Sequence, residues 1–357
     1  MTKEYTVLGL MSGTSGDGVD ASIIKSDGEN KCEVILNKYF EYDKKIYQEF
    51  HKLRDLINNL TNLKNLSERI RQFEKSITLF HVKVVNNFSQ HNIDFVGFHG
   101  QTIYHDSKER VSKQLGDGKL LSELTKKNVV YNFRENDLKN GGHGAPLASI
   151  FHKLLVKQKK INLPVIILNI GGIANITSIN SKNKMSSLDI GPGNYLIDSW
   201  IRTNSKRNYD ENGTIAESGK VNKIILNEAL ENFYNNLSSK RSYDSKDFDL
   251  SFVRGLSLED GAATLTEYTS EIISKKLSNN LIFLCGGGRK NRFLVERIKK
   301  KISGQIKLID DLNTDGDFIE SQAFAYLAIR SYLKLPISFP ETTGCLKPCT
   351  GGKIIKN

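Results

Sequence analysis

Cysteine is scarce in this chain, with four in 357 residues. They stand apart at Cys32, Cys285, Cys345 and Cys349, which excludes the disulfide framework of a small secreted domain. Only Cys345 and Cys349 are close neighbours, and no His or Cys pair elsewhere completes a zinc set. Long apolar runs are missing too. No stretch approaches the ~18–20 residues needed to span a bilayer, and the opening Met1-Thr2-Lys3-Glu4-Tyr5 lacks the apolar run of a signal peptide. The expectation is a cytoplasmic protein without a membrane partner. The seven histidines show no metal-ligand spacing, and there is neither a His-Glu-x-x-His zinc helix nor a serine nucleophile elbow.

Charge is present in excess of one sign. Lys and Arg number 51 against 40 Asp and Glu, a formal net charge of +11. The local runs, Lys157-Gln158-Lys159-Lys160 and Lys299-Lys300-Lys301, sit near expected helix ends, where the helix dipole favours cations. They lack the interleaved arginines and aromatics of a nucleic-acid groove. A solvated lysine-rich surface is the reading, with no nucleic-acid partner. Hydrophobic residues make up 38% and charged ones 25%, enough for real cores and against a disordered chain.

The hydrophobic pattern alternates short strands with long helices, which predicts an α/β protein. Tyr5 to Met11 reads as strand, Ser12 to Gly18 as turn, and Val19 to Lys25 as strand. Glu33 to Tyr42 can supply another strand. Leu66, Ile70, Phe73, Ile77, Phe80, Val84 and Phe88 recur at steps of four and three, one face of a long helix. Phe95 to Phe98 reads as a short buried strand entering a polar loop, His99 to Thr102. The second half repeats the opening: strand Val165 to Ile170, turn Gly171-Gly172, strand Ala174 to Ile179. Met185 to Ile190 is a strand ending in Gly191-Pro192-Gly193-Asn194. Leu281 to Cys285 is a strand ending in Gly286-Gly287-Gly288, and Ile319 to Leu333 is an apolar helix. The hairpin-like openings predict mixed sheets. The stretch near 202–250 is polar and reads as an insertion or surface lobe.

Glycine turns directly after strands are where chemistry is expected. In Met11 to Gly18, glycines let backbone N–H groups approach an anion, two hydroxyls add donors, and Asp17 can hold Mg²⁺. A plain hairpin turn is the competing reading. The loop is not a Walker A motif. Gly286 to Asn291 follows a strand and opens a helix, a context for phosphate contact or simply a tight turn. Three such turns in two halves suggest one nucleotide in an interdomain cleft. Asp189, at a strand end beside a rigid turn, is placed as a base or as a turn cap. His99, Gln101, Arg134 and Glu320 are polar groups able to orient a sugar, or structural ones.

Taken together, the segments Gly9–Asp20 (GLMSGTSGDGVD), Gly97–Tyr104 (GFHGQTIY), Asn132–Leu147 (NFRENDLKNGGHGAPL) and Leu168–Ile176 (LNIGGIANI) resemble the anhydro-N-acetylmuramic acid kinases. So do Leu188–Asn194 (LDIGPGN), Tyr209–Gly213 (YDENG), Ala263–Glu267 (ATLTE), Cys285–Asn291, Asp317–Ala328 (DFIESQAFAYLA) and the tail from Thr343 to Gly352. The resemblance runs in order along essentially the whole chain. It implies two actin-like (ribonuclease H-like) α/β domains with mixed sheets and an interdomain nucleotide cleft. The expected division is 1–135 plus 318–357 against 136–317.

The implied reaction opens 1,6-anhydro-N-acetylmuramic acid with water while ATP, with Mg²⁺, phosphorylates O6, a step of cell-wall recycling. The resemblance makes Asp189 the catalytic base. It assigns Gly13, Thr14, Ser15, Gly16, Asp17, Gly18, Val19, Asp20, Gly171, Gly172, Gly286, Gly287, Gly288 and Asn291 to ATP, with Asp17 toward the metal. It assigns His99, Gln101, Arg134 and Glu320 to the sugar, and it implies a homodimer. Three positions depart from the family pattern. Gly16 replaces a larger apolar residue, which predicts a more flexible loop. Asn132 stands for Asp, and His143 for Gln. The 237–249 segment lacks the family's proline-containing pattern. Two other classes remain open here: a kinase of the same fold acting on another amino sugar or hexose, and an actin-like nucleotide switch.

Overall fold

The computed structural model describes residues 3–238, 242–277 and 280–357. In chain order the elements are β1 (Tyr5–Ser12), β2 (Gly18–Ser26), β3 (Cys32–Glu41), α1 (Lys44–Leu56), α2 (Leu60–Asn65), α3 (Ser67–Asn86), β4 (Phe95–Asp106), β5 (Val111–Leu115), α4 (Gly118–Thr125), β6 (Asn128–Tyr131), α5 (Glu135–Lys139) and α6 (Ser149–Gln158). Then come β7 (Val165–Ile170), β8 (Ile173–Ile179), β9 (Met185–Pro192), α7 (Tyr195–Asn204), α8 (Thr214–Ser218), α9 (Lys223–Asn236), α10 (Leu258–Lys275), β10 (Leu281–Cys285), α11 (Arg292–Lys299) and β11 (Gln305–Leu308). The chain closes with α12 (Ile319–Tyr332) and β12 (Lys353–Ile355).

Two compact units result: residues 1–161 with 318–357, and residues 162–317. The crossing falls at Asn162, later than the expected 136. The reason is helix α6, which packs on α12, sets the Phe151 ring tilted against Tyr326 at 5.7 Å, and bonds through Lys157 to Asn30 and through Gln158 to the Cys32 carbonyl. The segment 136–161 therefore belongs to the first unit.

Each unit is an α/β body on a mixed sheet, as the pattern predicts. The first sheet runs β12-β6-β4-β1-β2-β3, with β5 added to β4, and the second runs β11-β10-β7-β8-β9. Five strands correspond, β6-β4-β1-β2-β3 to β11-β10-β7-β8-β9, with β12 and β5 added in the first sheet. β1–β2 and β2–β3 are antiparallel, while β1–β4 and β4–β6 are parallel. β7–β8 and β8–β9 are antiparallel, while β7–β10 and β10–β11 are parallel. One strand order used twice is what a pair of related domains of the expected kind requires, and the weak sequence repeat could only hint at it.

In the first unit α12 presses directly on β1 and β4. A Cβ at Gly9 would lie 2.0 Å from the Ser321 carbonyl, and one at Gly97 would lie 2.6 Å from that of Phe324. Only glycine permits this approach. The periodic helix appears as α3, burying Ile70, Phe73, Ile77 and Val84, in one core with Phe50, Phe88 and Phe98. In the second unit, 202–250 is more than a polar surface lobe. It folds as α8 and α9 with short turns around α10, and buries Phe233, Tyr243 and Phe248. Residues 239–241, inside the segment noted for its missing proline pattern, lie outside the described residues. Among the described residues no helix is long and apolar enough to cross a membrane.

Two buried imidazoles make stability pH-dependent. Burial pushes His81 and His152 each down to about 4. Both take up a proton near pH ~6.5 in the unfolded chain. Between these values the unfolded chain holds more protons, so stability is fully present above pH ~6.5 and falls as pH drops toward 4. Each histidine should remove about 1.4 kcal/mol per pH unit in that window. Denaturant titrations from pH 7 to 4 should show this slope, and His152→Leu should lessen it.

Candidate functional site

In the first unit the glycine loop leaves β1 at Ser12 and re-enters the sheet at Gly18. It is held on every side. Ser12 Oγ lies 3.0 Å from the Tyr42 hydroxyl. The Gly16 amide donates to the Gly13 carbonyl at 3.2 Å and the Tyr42 amide to the Asp17 carbonyl at 2.8 Å. Ser15 Oγ donates to Asp17 Oδ1 at 2.6 Å. Gly16 adopts φ +65°, and a Cβ there would lie 2.1 Å from the Phe50 ring. This corrects the expectation that glycine at 16 loosens the loop. Phe50 of α1 occupies the space that a larger residue would fill, and the left-handed backbone favours glycine.

Asp17 is exposed beside the loop. The Tyr39 phenol is pushed up, first by burial and then by the charges of Asp17 and Asp20. Asp17, whose Oδ1 already accepts from Ser15, is the exposed carboxylate of this loop and is the side chain here that could hold a divalent cation.

The stretch expected as a polar loop, His99 to Thr102, is strand. β4 continues to Asp106, because β5 pairs with its second half. A register shift sets Leu10 opposite Phe98 but Ser12 opposite Gln101, and Gly100 carries φ +77° at the irregularity. His99 and Gln101 thereby part company. The His99 Nδ1–H donates to the Gly100 carbonyl at 2.7 Å, which fixes the tautomer. Its Nε2 then accepts from Arg134 Nε at 3.2 Å and from a second guanidinium nitrogen at 2.9 Å. Burial, then the Arg134 charge, holds His99 well below its usual value. Arg134 also donates to the Gly144 carbonyl at 2.7 Å.

Burial pushes the Glu320 carboxyl up, with the Arg134 charge opposing. His99 and Arg134 thus form one hydrogen-bonded pair, and the Arg134 charge reaches the Glu320 carboxyl. Gln101 faces elsewhere: it is fully buried, and its Nε2 donates to the Gly13 carbonyl at 2.8 Å. Asp137 joins Cys345 and Cys349 in a buried cluster. Its carboxylate accepts from the Thr343 hydroxyl at 2.5 Å and the Gly144 amide at 2.6 Å, tying the tail to the turn after α5.

In the second unit Asp189 lies on β9, which runs on to Pro192 rather than ending at Ile190. It is 5% exposed, sits opposite Asn175 of β8, and its Oδ2 accepts from the Tyr243 amide at 3.0 Å. Sequence reasoning missed Tyr243, which falls in the presumed polar lobe. Gly171 and Gly172 accept from the amides of Asn194 and Gly193 at 2.8 and 2.9 Å. The turn after β7 and the entry to α7 are therefore one knot.

The Gly286–Gly288 turn is wedged beside β7. A Cβ at Gly286 would lie 2.3 Å from Asn169 Oδ1, and one at Gly288 would lie 2.2 Å from Ile170, whereas Gly287 faces open space. Arg289, also missed, anchors this turn. It grips Asp310 through two nitrogens at 2.7 and 2.9 Å, Asp317 at 2.5 Å and the Gly286 carbonyl at 3.2 Å. Asn291 caps α11, its Oδ1 accepting from the Leu294 amide at 3.0 Å, so that side-chain oxygen serves the fold.

The first unit thus carries a glycine turn after a strand and an imidazole–guanidinium pair, the second two glycine turns after strands and a buried carboxylate, and the family match makes the chain a small-molecule phosphotransferase. The family model "Anhydro-N-acetylmuramic acid kinase" matches residues 5–357, and the chain belongs to that family. It is 55% identical over 374 aligned residues to the anhydro-N-acetylmuramic acid kinase of Pelagibacter ubique, covering 100% of both chains. It is 38% identical to that of Zymomonas mobilis, covering 97% of this chain and 98% of the relative. Among solved structures, component A of (R)-2-hydroxyglutaryl-CoA dehydratase from Acidaminococcus fermentans matches at a TM-score of 0.46 and 10% identity, covering 92% of this chain and 100% of the other.

Proposed function

We propose that the chain is an ATP-dependent kinase that opens 1,6-anhydro-N-acetylmuramic acid with water and phosphorylates O6. The products are N-acetylmuramic acid 6-phosphate and ADP. The observation that carries this is the family match over residues 5–357, with Asp189 buried on β9 within the matching Leu188–Asn194 segment. The alternative, a kinase for another amino sugar or hexose, has no observation in its favour.

The chemistry sets the demand on residues. An ordinary glycosidase needs an acid to protonate the leaving oxygen and a second carboxylate for the water or the anomeric carbon. Here the leaving oxygen O6 bonds to the γ-phosphorus of ATP as the C1–O6 bond breaks, and the bond from that phosphorus to the β,γ-bridging oxygen breaks to release ADP, so no acid is needed. Water adds to C1 and gives up one proton, and Asp189 takes it. The Tyr243 amide fixes one carboxylate oxygen, which orients the base. His99, held neutral with Nε2 turned to Arg134, presents no acidic proton of its own toward the guanidinium. Its role is to orient Arg134, which with Glu320 binds sugar hydroxyls. The loop 13–20 and the turns at 171–172 and 286–288 bind ATP through their amides. Mg²⁺, held by Asp17, would neutralise charge developing on the phosphates.

The test is an ADP-release assay with ATP, Mg²⁺ and the anhydro sugar in ¹⁸O-water, with an unlabelled-water quench series to control for exchange at C1. The expected product is phosphorylated and carries one ¹⁸O at C1 before mutarotation. ADP release with a different sugar, and none with this one, would favour the alternative and make Asp189 a hydroxyl base.

A further inference from the structure

Two successive carbonyls of the first glycine loop are each held by a side chain from outside it. The Gly13 carbonyl accepts from Gln101 Nε2 of β4 at 2.8 Å. The Thr14 carbonyl accepts from the Arg54 guanidinium of α1, also at 2.8 Å. In a planar trans peptide, C=O and the following N–H point in opposite directions. Holding the Gly13 carbonyl on Gln101 therefore turns the Thr14 N–H away from β4. Holding the Thr14 carbonyl on Arg54 turns the Ser15 N–H away from α1.

The two donors are themselves fixed. Gln101 is fully buried, and flipping its amide would set its oxygen against the Gly13 carbonyl, two acceptors face to face. Arg54 lies over the Phe50 ring, 5.2 Å from its centroid, and a second guanidinium nitrogen sits 2.9 Å from His51 Nδ1. The same Phe50 ring closes the space beside Gly16.

We infer that Gln101 and Arg54 are positioning residues that aim the Thr14 and Ser15 amides at the phosphates of ATP, and that Gln101 serves the nucleotide side rather than the sugar side. This rests on the reading of loop 13–20 as the phosphate loop. Arg54 carries no sequence signal, since it lies 40 residues from its partner Thr14 on an ordinary amphipathic helix.

The experiment varies ATP and sugar separately in steady-state assays of Gln101→Leu, Arg54→Ala and Arg54→Lys, beside calorimetric titration of the unsubstituted chain with a non-hydrolysable ATP analogue. Loss of one charge-assisted bond to the loop should raise KM for ATP by about tenfold in Arg54→Ala. Gln101→Leu should do likewise, with KM for the sugar unchanged in both and melting temperatures close to that of the unsubstituted chain. Arg54→Lys, which keeps a donor, should recover part of the loss. A rise in the sugar KM alone in Gln101→Leu would overturn the assignment of Gln101. Unchanged ATP KM in both Arg54 variants, with normal analogue binding by the unsubstituted chain, would overturn the positioning role. Failure of the unsubstituted chain to bind the analogue would overturn the phosphate-loop reading and this inference with it. Arg54 is partly buried, its side chain 11% exposed, and Arg54→Lys keeps the charge and a donor, so the Arg54 pair carries the test even if Gln101→Leu does not fold.

Discussion

Asp189→Asn should lower kcat by roughly 10³-fold, within the range that a positioned general base supplies, while the protein keeps its fold. The amide is nearly isosteric, and its oxygen can still accept from the Tyr243 N–H that now bonds Oδ2. What it cannot do is take a proton from water. The comparison to make is ADP release against thermal melting and nucleotide affinity. Turnover should fall by that factor while the other two stay. Equal activity would remove Asp189 from the mechanism, and a lowered melting temperature would mark it as a structural turn residue instead.

Gly9→Val should abolish folding of the first unit. The added Cβ would fall 2.0 Å from the Ser321 carbonyl and 2.6 Å from the Ala325 amide nitrogen, both backbone atoms of α12. Nothing there can rotate aside, so helix and sheet must separate. That separation exposes the buried residues of α12, including Ala325 and Ala328, together with Val7 of β1, which shares the face of Gly9. A cost above about 5 kcal/mol is expected, comparable with the whole stability of a typical domain. Soluble yield and circular dichroism would read it. Gly287→Ala is the control, because a Cβ there meets nothing within 4 Å, and melting should be unchanged. A folded Gly9→Val protein of normal stability would contradict the close approach of α12.

The parts legible in the sequence were those with short-range causes. The strand–turn–strand openings, the α3 stripe and the apolar α12 each announce themselves by spacing, and the paired antiparallel openings led correctly to mixed sheets. What was not legible depended on partners far along the chain. β4 runs on from Gln101 to Asp106 because β5 pairs with its second half. β12 exists only because three tail residues find β6. His99, Arg134 and Glu320 could be named from family motifs, yet spacing alone could not show that Gln101, two residues from His99, turns to the glycine loop instead. That divergence follows from the β4 irregularity at Gly100. Tyr243 was hidden by its polar neighbourhood, although Phe233 and Phe248 beside it were a sign of a buried core.

The Phe50 ring beside Gly16 also constrains the order in which this loop can change. Neither position can be exchanged freely for the larger residue usual in the family's loop. A bulkier side chain at 16 must displace a ring that is fully buried and would also have to accept a left-handed backbone. Removing the ring first leaves an empty pocket under the loop and takes away the surface on which Arg54 lies. A lineage moving between the two solutions must therefore cross one of two disfavoured intermediates, the cavity or the clash, and the cavity is the milder. Position 50 is thus the gate through which position 16 becomes mutable.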